Sequence, residues 1–195
     1  MTGQIAMHLS VYQIIAGLWI GMFVIWWISA IAVKRTIGSE ADWQSRVALW
    51  IVALAWFLLF DGRLGGPLAR RFVPSGLEVA YTGLVLTALG LGLAIWARFQ
   101  IGRNWSGMVE LKQDHQLIRR GPYAFVRHPI YSGLMLATFG TGIAYGEIRG
   151  LVAFALITMA WGYKSRLEEA FLIRQFGAEY EQYRREVKGL IPFVW

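Results

Sequence analysis

The sequence contains no cysteine. Disulfide bonds, thiolate nucleophiles and metal sites built on cysteine are therefore excluded. Histidine is also scarce, and the three that occur are His8, His115 and His128. No evident set of partner ligands accompanies them, so we expect no metal site.

Charged residues are few: they make up 16% of the chain, against roughly 25% in soluble globular proteins. Hydrophobic residues make up 56%, and the chain carries ten Trp, eight Tyr and eleven Phe. A soluble protein would need more charged residues to cover so large an apolar core, whereas aromatic residues are typical of membrane interfaces. The composition therefore predicts an integral membrane protein.

The charges that are present are mostly positive, with a formal net charge of +7. A basic chain can bind nucleic acid, but Lys and Arg beside apolar stretches are typical of cytoplasmic membrane loops. We therefore expect membrane lipids and no nucleic acid as partners. The first apolar stretch has neither a basic flank before it nor a small-residue cleavage site after it, so we predict a retained span and no signal peptide.

Five apolar stretches predict an all-α membrane protein with about five transmembrane helices, since one crossing takes roughly 20 helical residues. They are residues 11–33, 47–60, 77–97, 130–145 and 148–163. Gly83, Gly90 and Gly92 in the third stretch predict close approach of a neighbouring helix. Gly146 and Glu147, between the last two stretches, predict a tight helical hairpin.

The distribution of Lys and Arg predicts the orientation. With the N-terminus outside, most of them fall on the cytoplasmic side, as the positive-inside rule requires. Arg63, Arg70, Arg71 and Arg149 fall outside, and the pair Arg70–Arg71 fits the rule least well. We expect the N-terminus outside and both the long polar loop and the C-terminus in the cytoplasm.

The composition changes near residue 98 and predicts two parts. Residues 1–97 hold about three membrane spans, whereas residues 98–195 hold a charged site around the hairpin. The hairpin returns its two polar flanks, residues 98–133 and 164–195, to the same membrane face. We therefore expect these two segments to be neighbours.

Several residues of these segments suit a small-molecule site. Gly121 and Pro122 predict a turn, and Pro129 suits the first position of a helix. Tyr123 and Tyr131 offer aromatic faces on which a base could stack. These residues alone indicate a candidate site and no particular reaction.

Simpler interpretations stand beside this one. Arg127 and His128 could be interfacial groups that extend toward water. The pair Glu168–Glu169 could form the solvated first turn of a surface helix, and Asn104 could be an ordinary cap. Tyr180 and Tyr183, with Phe193 and Trp195, could be interface anchors. The residues leave these alternatives open.

Four motifs occur in order around the hairpin. They are GRNWS (102–106), HQLIRRGPYAFVRHPIYSG (115–133), EEAFLIRQFGAEYEQYRREV (168–187) and GLIPF (189–193). Together they resemble the isoprenylcysteine carboxyl methyltransferase family, over roughly residues 98–195. The shorter five-span form resembles the prokaryotic members, which implies a bacterial or archaeal plasma membrane.

The resemblance implies a membrane-embedded methyltransferase that uses S-adenosylmethionine without a Rossmann fold. No GxGxxG motif follows any strand pattern here, which agrees with that expectation. The cofactor is expected in a cytoplasm-facing pocket around the hairpin. The positions that match the family's cofactor contacts are His115, Gln116, Leu117, Ile118, Tyr123, His128, Pro129, Ile130, Tyr131 and Glu168, with Glu110 as a looser match.

The resemblance also implies a basic residue near the methyl acceptor, at Lys164 or Arg166, next to Glu168. A carboxylate or thiolate acceptor needs no general base, whereas an amine must lose a proton, which would make His128 or Glu168 the base. A lipophilic acceptor is expected to enter from the bilayer. Its identity stays open, because prokaryotes lack prenylated C-terminal cysteines as an obvious substrate.

Two other functions are compatible with the sequence. One is an NADPH-dependent reductase of the sterol-reductase type, since those enzymes carry a related RHPxY motif. The other is a non-catalytic membrane protein that binds lipid. The second of these leaves the ordered motifs around the hairpin without a role.

Overall fold

The computed structural model describes residues 2–31, 33, 36–39, 43–105, 110–112 and 116–191. Five long helices and one short helix account for most of them. They are α1 (Thr2–Ala30), α2 (Trp43–Phe60), α3 (Leu77–Ile101), α4 (Pro129–Tyr145), α5 (Ile148–Phe176) and α6 (Ala178–Glu186). Each predicted apolar stretch lies largely within one long helix, so the helical interpretation of the sequence is confirmed.

Two short strands depart from the purely helical expectation. Strand β1 (Thr36–Ser39) pairs antiparallel with β2 (Glu110–Lys112). The strands follow α1 and α3, which end close together, so the two loops can satisfy each other's backbone donors and acceptors. Short 3₁₀ turns occur at Gly66–Ala69, Gly102–Asn104 and Gly121–Ala124.

Many large apolar side chains lie on the outside of the bundle. Trp27 and Trp50 are 74% and 75% exposed, for example, and Leu89 is 60% exposed. Among the described residues, three helical segments are long and apolar enough to cross a membrane, namely Ser10–Ala30, Trp43–Phe60 and Leu77–Asn104. The exposed apolar surface of these helices is suited to lipid, and the protein is a multi-pass membrane protein.

Helices α3 and α4 approach each other through glycine. A Cβ atom on Gly90 would lie 2.4 Å from the backbone nitrogen of Ala137, and one on Gly83 would lie 2.4 Å from that of Ala144. Close approach is thus confirmed at Gly83 and Gly90, and the order of their partners shows that the two helices are antiparallel. The prediction is wrong for Gly92, where an added Cβ would meet nothing within 4 Å.

The hairpin between α4 and α5 is confirmed. Gly146 adopts a left-handed conformation (φ +68°) and ends α4, and its amide bonds to the carbonyl of Gly142. Arg71 donates from Nη1 to the carbonyl of Tyr145 at 2.9 Å. Arg71, which breaks the expected charge pattern, therefore satisfies a carbonyl at the C-terminus of α4.

A small polar cluster joins three helices inside the bundle. Nε1 of Trp19 in α1 donates to the hydroxyl of Thr141 in α4 at 3.0 Å. That hydroxyl lies 3.1 Å from the hydroxyl of Thr87 in α3. Such bonds between small polar side chains are a common means of joining helices in lipid.

Candidate active site

A pocket opens at the end of the bundle where α3 ends and α4 begins. Helix α6 and the part of α5 beyond residue 163 close its other sides. Its empty volume is about 880 Å³, including the part open to solvent. The lining residues are Ile101, Asn104, Trp105, Gln116, Leu117, Ile118, Tyr123, Arg127, His128, Ile130, Tyr131, Glu168, Phe171, Leu172, Tyr180 and Tyr183.

The hairpin brings the two polar segments together as predicted. Pro129 occupies the first turn of α4, as expected for a residue without an amide hydrogen. Helix α5 runs without a break to Phe176. Glu168 and Glu169 therefore lie on a continuation of the hairpin helix, and the interpretation of this pair as the first turn of a separate surface helix is wrong.

His128 lies between two carboxylates and is 7% exposed. Its Nδ1 is 3.5 Å from Glu168 Oε2, and its Nε2 is 3.1 Å from Glu169 Oε1. Burial by itself would lower the pKa of His128, but the contacts with Glu168 and Glu169 outweigh it and raise the pKa above 6.5. Both ring nitrogens therefore face carboxylates, an arrangement that favours the protonated imidazole.

Glu168 accepts from several groups at the pocket wall. The hydroxyl of Tyr131 donates to its Oε1, and Lys164 Nζ lies 3.7 Å from the same atom. Burial would raise the pKa of Glu168, but His128 and Lys164 outweigh it and hold the pKa below 4.5. The side chain is 21% exposed and is a carboxylate at neutral pH.

Lys164 is almost fully buried, with 2% exposure. The rings of Tyr131 and Trp161 stack in parallel, with centroids 4.4 Å apart. The ammonium of Lys164 lies 5.9 Å from the centroid of Tyr131 and 5.8 Å from that of Trp161. The cation is thus stabilised by aromatic faces as well as by Glu168.

Arg127 joins the site to the C-terminal segment. Its Nη2 lies 2.6 Å from Glu169 Oε1, and its Nη1 donates to the carbonyl of Val187. The amides of Arg127 and His128 donate to the carbonyls of Lys188 and Gly189 at 2.8 and 3.0 Å. With its guanidinium bound to protein atoms, Arg127 is not a group that merely extends toward water.

Helix α6 supplies two buried tyrosines to the pocket. Tyr183 donates its hydroxyl to the carbonyl of Tyr123 at 2.5 Å. The Tyr180 hydroxyl has no hydrogen-bond partner among the described residues. Burial raises the pKa of Tyr180 well above its ordinary value of 10.0, so this hydroxyl stays neutral. The interpretation of Tyr180 and Tyr183 as interface anchors is wrong, because both line the pocket. Phe193 and Trp195 lie outside the described residues.

Most of the residues expected to contact the cofactor come together. Gln116, Leu117, Ile118, Tyr123, His128, Ile130, Tyr131 and Glu168 all line the pocket. Pro129 is buried at the helix start behind it, and Lys164 lies behind Glu168 and Tyr131. Arg166 is exposed and is not among the lining residues. His115 lies outside the described residues, and Glu110 lies in strand β2.

Sequence reasoning missed other parts of the wall. Ile101, Trp105, Phe171 and Leu172 line the pocket and received no role. The Oδ1 of Asn104 does not act as a cap, because it is buried without a hydrogen-bond partner among the described residues. Phe171 and Leu172 follow Glu168 by three and four positions on α5, so helical spacing places them on the same face.

The site is suited to binding a ligand with aromatic, polar and cationic parts. It offers the carboxylate of Glu168 and the rings of Tyr123 and Tyr131, with apolar walls from α3 and α5. In the part of the chain that the structure describes, no three or more His, Cys, Asp and Glu side chains are placed to hold a metal ion.

Comparison with known proteins identifies relatives by sequence. The family model of phospholipid methyltransferases matches residues 79–179. Protein-S-isoprenylcysteine O-methyltransferase of Schizosaccharomyces pombe is 33% identical over 180 residues, which are 82% of this chain and 75% of that protein. The human protein of the same name is 32% identical over 121 residues, 60% of this chain and 42% of its own length.

A solved structure agrees with this relationship. It is that of the eukaryotic intramembrane Ras methyltransferase, isoprenylcysteine carboxyl methyltransferase, at 26% identity and a TM-score of 0.56. The match covers 81% of this chain and 55% of that one, so the chain spans about half of its length. On these matches, the chain belongs to the isoprenylcysteine carboxyl methyltransferase family of membrane methyltransferases.

Proposed function

We propose that the protein transfers a methyl group from S-adenosylmethionine to a carboxylate of a lipophilic acceptor. The methyl donor would lie in the pocket between α4, α5 and α6, and the acceptor would arrive from the bilayer. The relatives named protein-S-isoprenylcysteine O-methyltransferase support the reaction type. The proposed acceptor is a carboxylic acid that carries an isoprenoid group through a thioether.

The pocket fits this methyl donor chemically. Glu168 supplies a carboxylate for a cationic or hydroxyl group, and Tyr123 and Tyr131 supply aromatic faces for a base. Asn104 Oδ1 and the Tyr180 hydroxyl are buried without a partner among the described residues, which leaves polar atoms for a ligand. When bound, S-adenosylmethionine supplies a methyl group that is electrophilic because its sulfur is positively charged.

The surroundings of His128 support the choice of a carboxylate acceptor. Its ring nitrogens lie 3.5 and 3.1 Å from the carboxylates of Glu168 and Glu169, and these contacts raise its pKa above 6.5 and favour the protonated form. Glu168, whose pKa is lowered below 4.5, is a weak base. His128 and Glu168 are therefore less suited to taking a proton from an acceptor. A carboxylate needs none, because its oxygen forms the new bond as the carbon–sulfur bond breaks.

The protein's own contribution is then to orient the acceptor and to exclude water. Lys164 is the better candidate for orienting an anionic acceptor, because it is buried behind the pocket wall next to Glu168. Arg166 is exposed and lies outside the lining. A Lys164→Met variant should lose activity by a larger factor than an Arg166→Met variant.

An amine acceptor is a second candidate, because the matching family model is that of phospholipid methyltransferases.

Five membrane crossings, with the N-terminus outside and the C-terminus in the cytoplasm, complete the proposal. This topology places the pocket at the end of the bundle where S-adenosylmethionine is available. Cysteine-accessibility labelling is well suited to test the topology, since the chain has no native cysteine.

The activity test is to incubate membranes containing the protein with methyl-labelled S-adenosylmethionine and a farnesylated cysteine acid. We expect label in the apolar extract that mild base releases as methanol, as a methyl ester requires. Label that resists base would indicate an amine acceptor. Without any label, protection from thermal unfolding by NADPH but not by S-adenosylhomocysteine would favour a reductase, and protection by neither would favour a non-catalytic lipid-binding protein.

A further inference from the structure

Glu168 and Glu169 are adjacent on α5, yet Glu168 lines the pocket and Glu169 does not. The side chain of Glu169 is 14% exposed and lies against the start of α4. The proposed function gives it no role. A carboxylate outside the pocket can act on a bound ligand only through the residues that it contacts.

A single oxygen of Glu169 accepts from two neighbouring side chains. Nε and Nη2 of Arg127 lie 2.9 and 2.6 Å from Glu169 Oε1, and Nε2 of His128 lies 3.1 Å from the same atom. Because both Arg127 nitrogens are donors, the atom that faces them must be an acceptor. Nε2 of His128 therefore faces an acceptor too, and this nitrogen must carry a proton to bond with it.

The other nitrogen of the ring faces the pocket residue Glu168, with Nδ1 of His128 3.5 Å from Glu168 Oε2. A neutral imidazole has only one N–H group. With that proton on Nε2, the neutral ring would turn an unprotonated Nδ1 toward the Glu168 carboxylate. Only the doubly protonated ring can donate to both glutamates, so Glu169 and Glu168 are linked through His128.

Other charged or titratable side chains act on His128 through these two carboxylates. They are Arg127 and, on α6, Arg184 at Glu169, and Lys164 and Tyr131 at Glu168. The ring of Tyr131 also stacks on the imidazole, with centroids 5.6 Å apart. Burial opposes the charge on His128, but the contacts with both carboxylates raise its pKa.

We propose that Glu169 is a positioning residue of the methyl-donor site. It holds His128 with both ring nitrogens protonated, so that Nδ1 donates to Glu168 and orients the carboxylate that faces the pocket. The role of Glu168 as a contact of the methyl donor rests on the proposed function. The state of the His128 ring is set by the protein alone.

The test is Glu169→Gln, because its amide oxygen can still accept from Arg127 and His128 while the charge is lost. Binding of S-adenosylhomocysteine to the whole protein in nanodiscs is measured from pH 5 to pH 9. The affinity of wild-type protein should stay constant until the pH passes the raised pKa of His128 and then fall about tenfold. In Glu169→Gln the same fall should occur at a pH lower by roughly one to three units.

Arg184→Gln is the control, since Arg184 contacts the other oxygen of Glu169 at 3.4 Å and its side chain is 47% exposed. This variant should follow the wild-type pH profile. A loss of affinity in Glu169→Gln by the same factor at every pH would overturn the proposal, because Glu169 would then only join α5 to Arg127. Unchanged binding at every pH would overturn it as well.

The nitrogen NMR signals of the His128 ring test the proposal without any ligand. They are identified by their absence from His128→Gln. Both ring nitrogens should be protonated in wild-type protein at pH 6, and a ring that is mainly neutral there would overturn the proposal even if Glu169→Gln does not fold. Failure of wild-type protein to bind S-adenosylhomocysteine would instead contradict the proposed function, so the two failures are distinguishable.

Discussion

The body of α4 and its N-terminal start are held in place by different interactions. Along most of its length, α4 packs on α3 through glycines, so that backbone lies against backbone. At its start, the side chain of His128 contacts Glu168 and Glu169, and its backbone amide bonds to the C-terminal segment. The first region tolerates no added atoms, whereas the second tolerates changes of shape better than changes of charge. Substitutions in the two regions should therefore fail in different ways.

The largest loss of stability is expected at the contact between Gly90 and α4. Gly90→Ala places a Cβ 2.4 Å from the backbone nitrogen of Ala137 and 2.5 Å from the carbonyl of Gly133. Because backbone cannot move aside locally, the free energy of unfolding should fall by about 2–3 kcal/mol. Thermal unfolding in detergent would measure this change.

Gly92→Ala is the matched control, since it lies in the same helix and its Cβ would meet nothing within 4 Å. We expect this variant to be unchanged or slightly more stable, by up to about 1 kcal/mol. Equal destabilisation by both substitutions would show that close approach of α3 and α4 does not hold the bundle together.

The next largest loss of stability is expected at Arg127. Arg127→Met removes the contact with Glu169 and the hydrogen bond to Val187. We expect a loss of about 2 kcal/mol, since hydrogen bonds to charged groups have this magnitude. Hydrogen exchange should rise at residues 187–190. Arg184→Met, whose side chain is 47% exposed and 3.4 Å from Glu169, should change exchange there much less.

The charged cluster should make stability depend on pH in two directions. The pKa of His128 is raised above 6.5, so its contribution is complete below pH 6.5 and is lost as the pH rises through the raised pKa. The pKa values of Glu168 and Glu169 are lowered below 4.5, so their contribution is complete above pH 4.5 and is lost as the pH falls through the lowered values. The cluster should therefore contribute most between these limits.

The measurement is the melting temperature of wild-type protein and of His128→Gln from pH 5 to pH 9. The difference between them should be largest near pH 5.5 and should shrink as the pH rises. A difference that grows with rising pH would mean that His128 is neutral in the folded protein.

The smallest change in stability is expected at Tyr180. Its hydroxyl has no partner among the described residues, so Tyr180→Phe should not lower the melting temperature, but it should weaken S-adenosylhomocysteine binding a few-fold. Tyr183→Phe loses the bond to the carbonyl of Tyr123 and should cost about 1 kcal/mol of stability. The reverse order of the two melting temperatures would contradict the assignment of these hydroxyls.

Much of the fold follows from the sequence, because lipid requires long apolar helices and turns need particular residues. The apolar stretches, the hairpin at Gly146 and the helix start at Pro129 are all where their residues predict them. The tight hairpin between residues 130–145 and 148–163 predicts that the segments holding His128 and Glu168 lie close together. The glycines were less informative, because Gly90 and Gly92 look alike until the partner helix is known.

The pocket wall could be predicted only in part. Tyrosine is also typical of interface anchors, so residue type alone does not predict that Tyr180 and Tyr183 line the pocket. They do so because the turn at Gly177 folds α6 back over it. Arg127 and Glu169 pair across 42 positions of sequence, which no local pattern reveals. Arg98 is 2% exposed and bonds to the carbonyl of Ser29 in α1, although its residue type is also that of an ordinary basic residue at a helix end. Long-range packing decides the role of each of these side chains.

The most direct test of the central claim is calorimetric binding of S-adenosylhomocysteine to wild-type protein, Glu168→Gln and Glu147→Gln. The two glutamates have side chains of similar exposure, 21% and 24%, and each pairs with a cation, but Glu147 lies at the other end of the hairpin. We predict that wild-type protein and Glu147→Gln bind alike, and that binding by Glu168→Gln falls by about tenfold or more. Equal binding by all three proteins would contradict a cofactor pocket at Glu168.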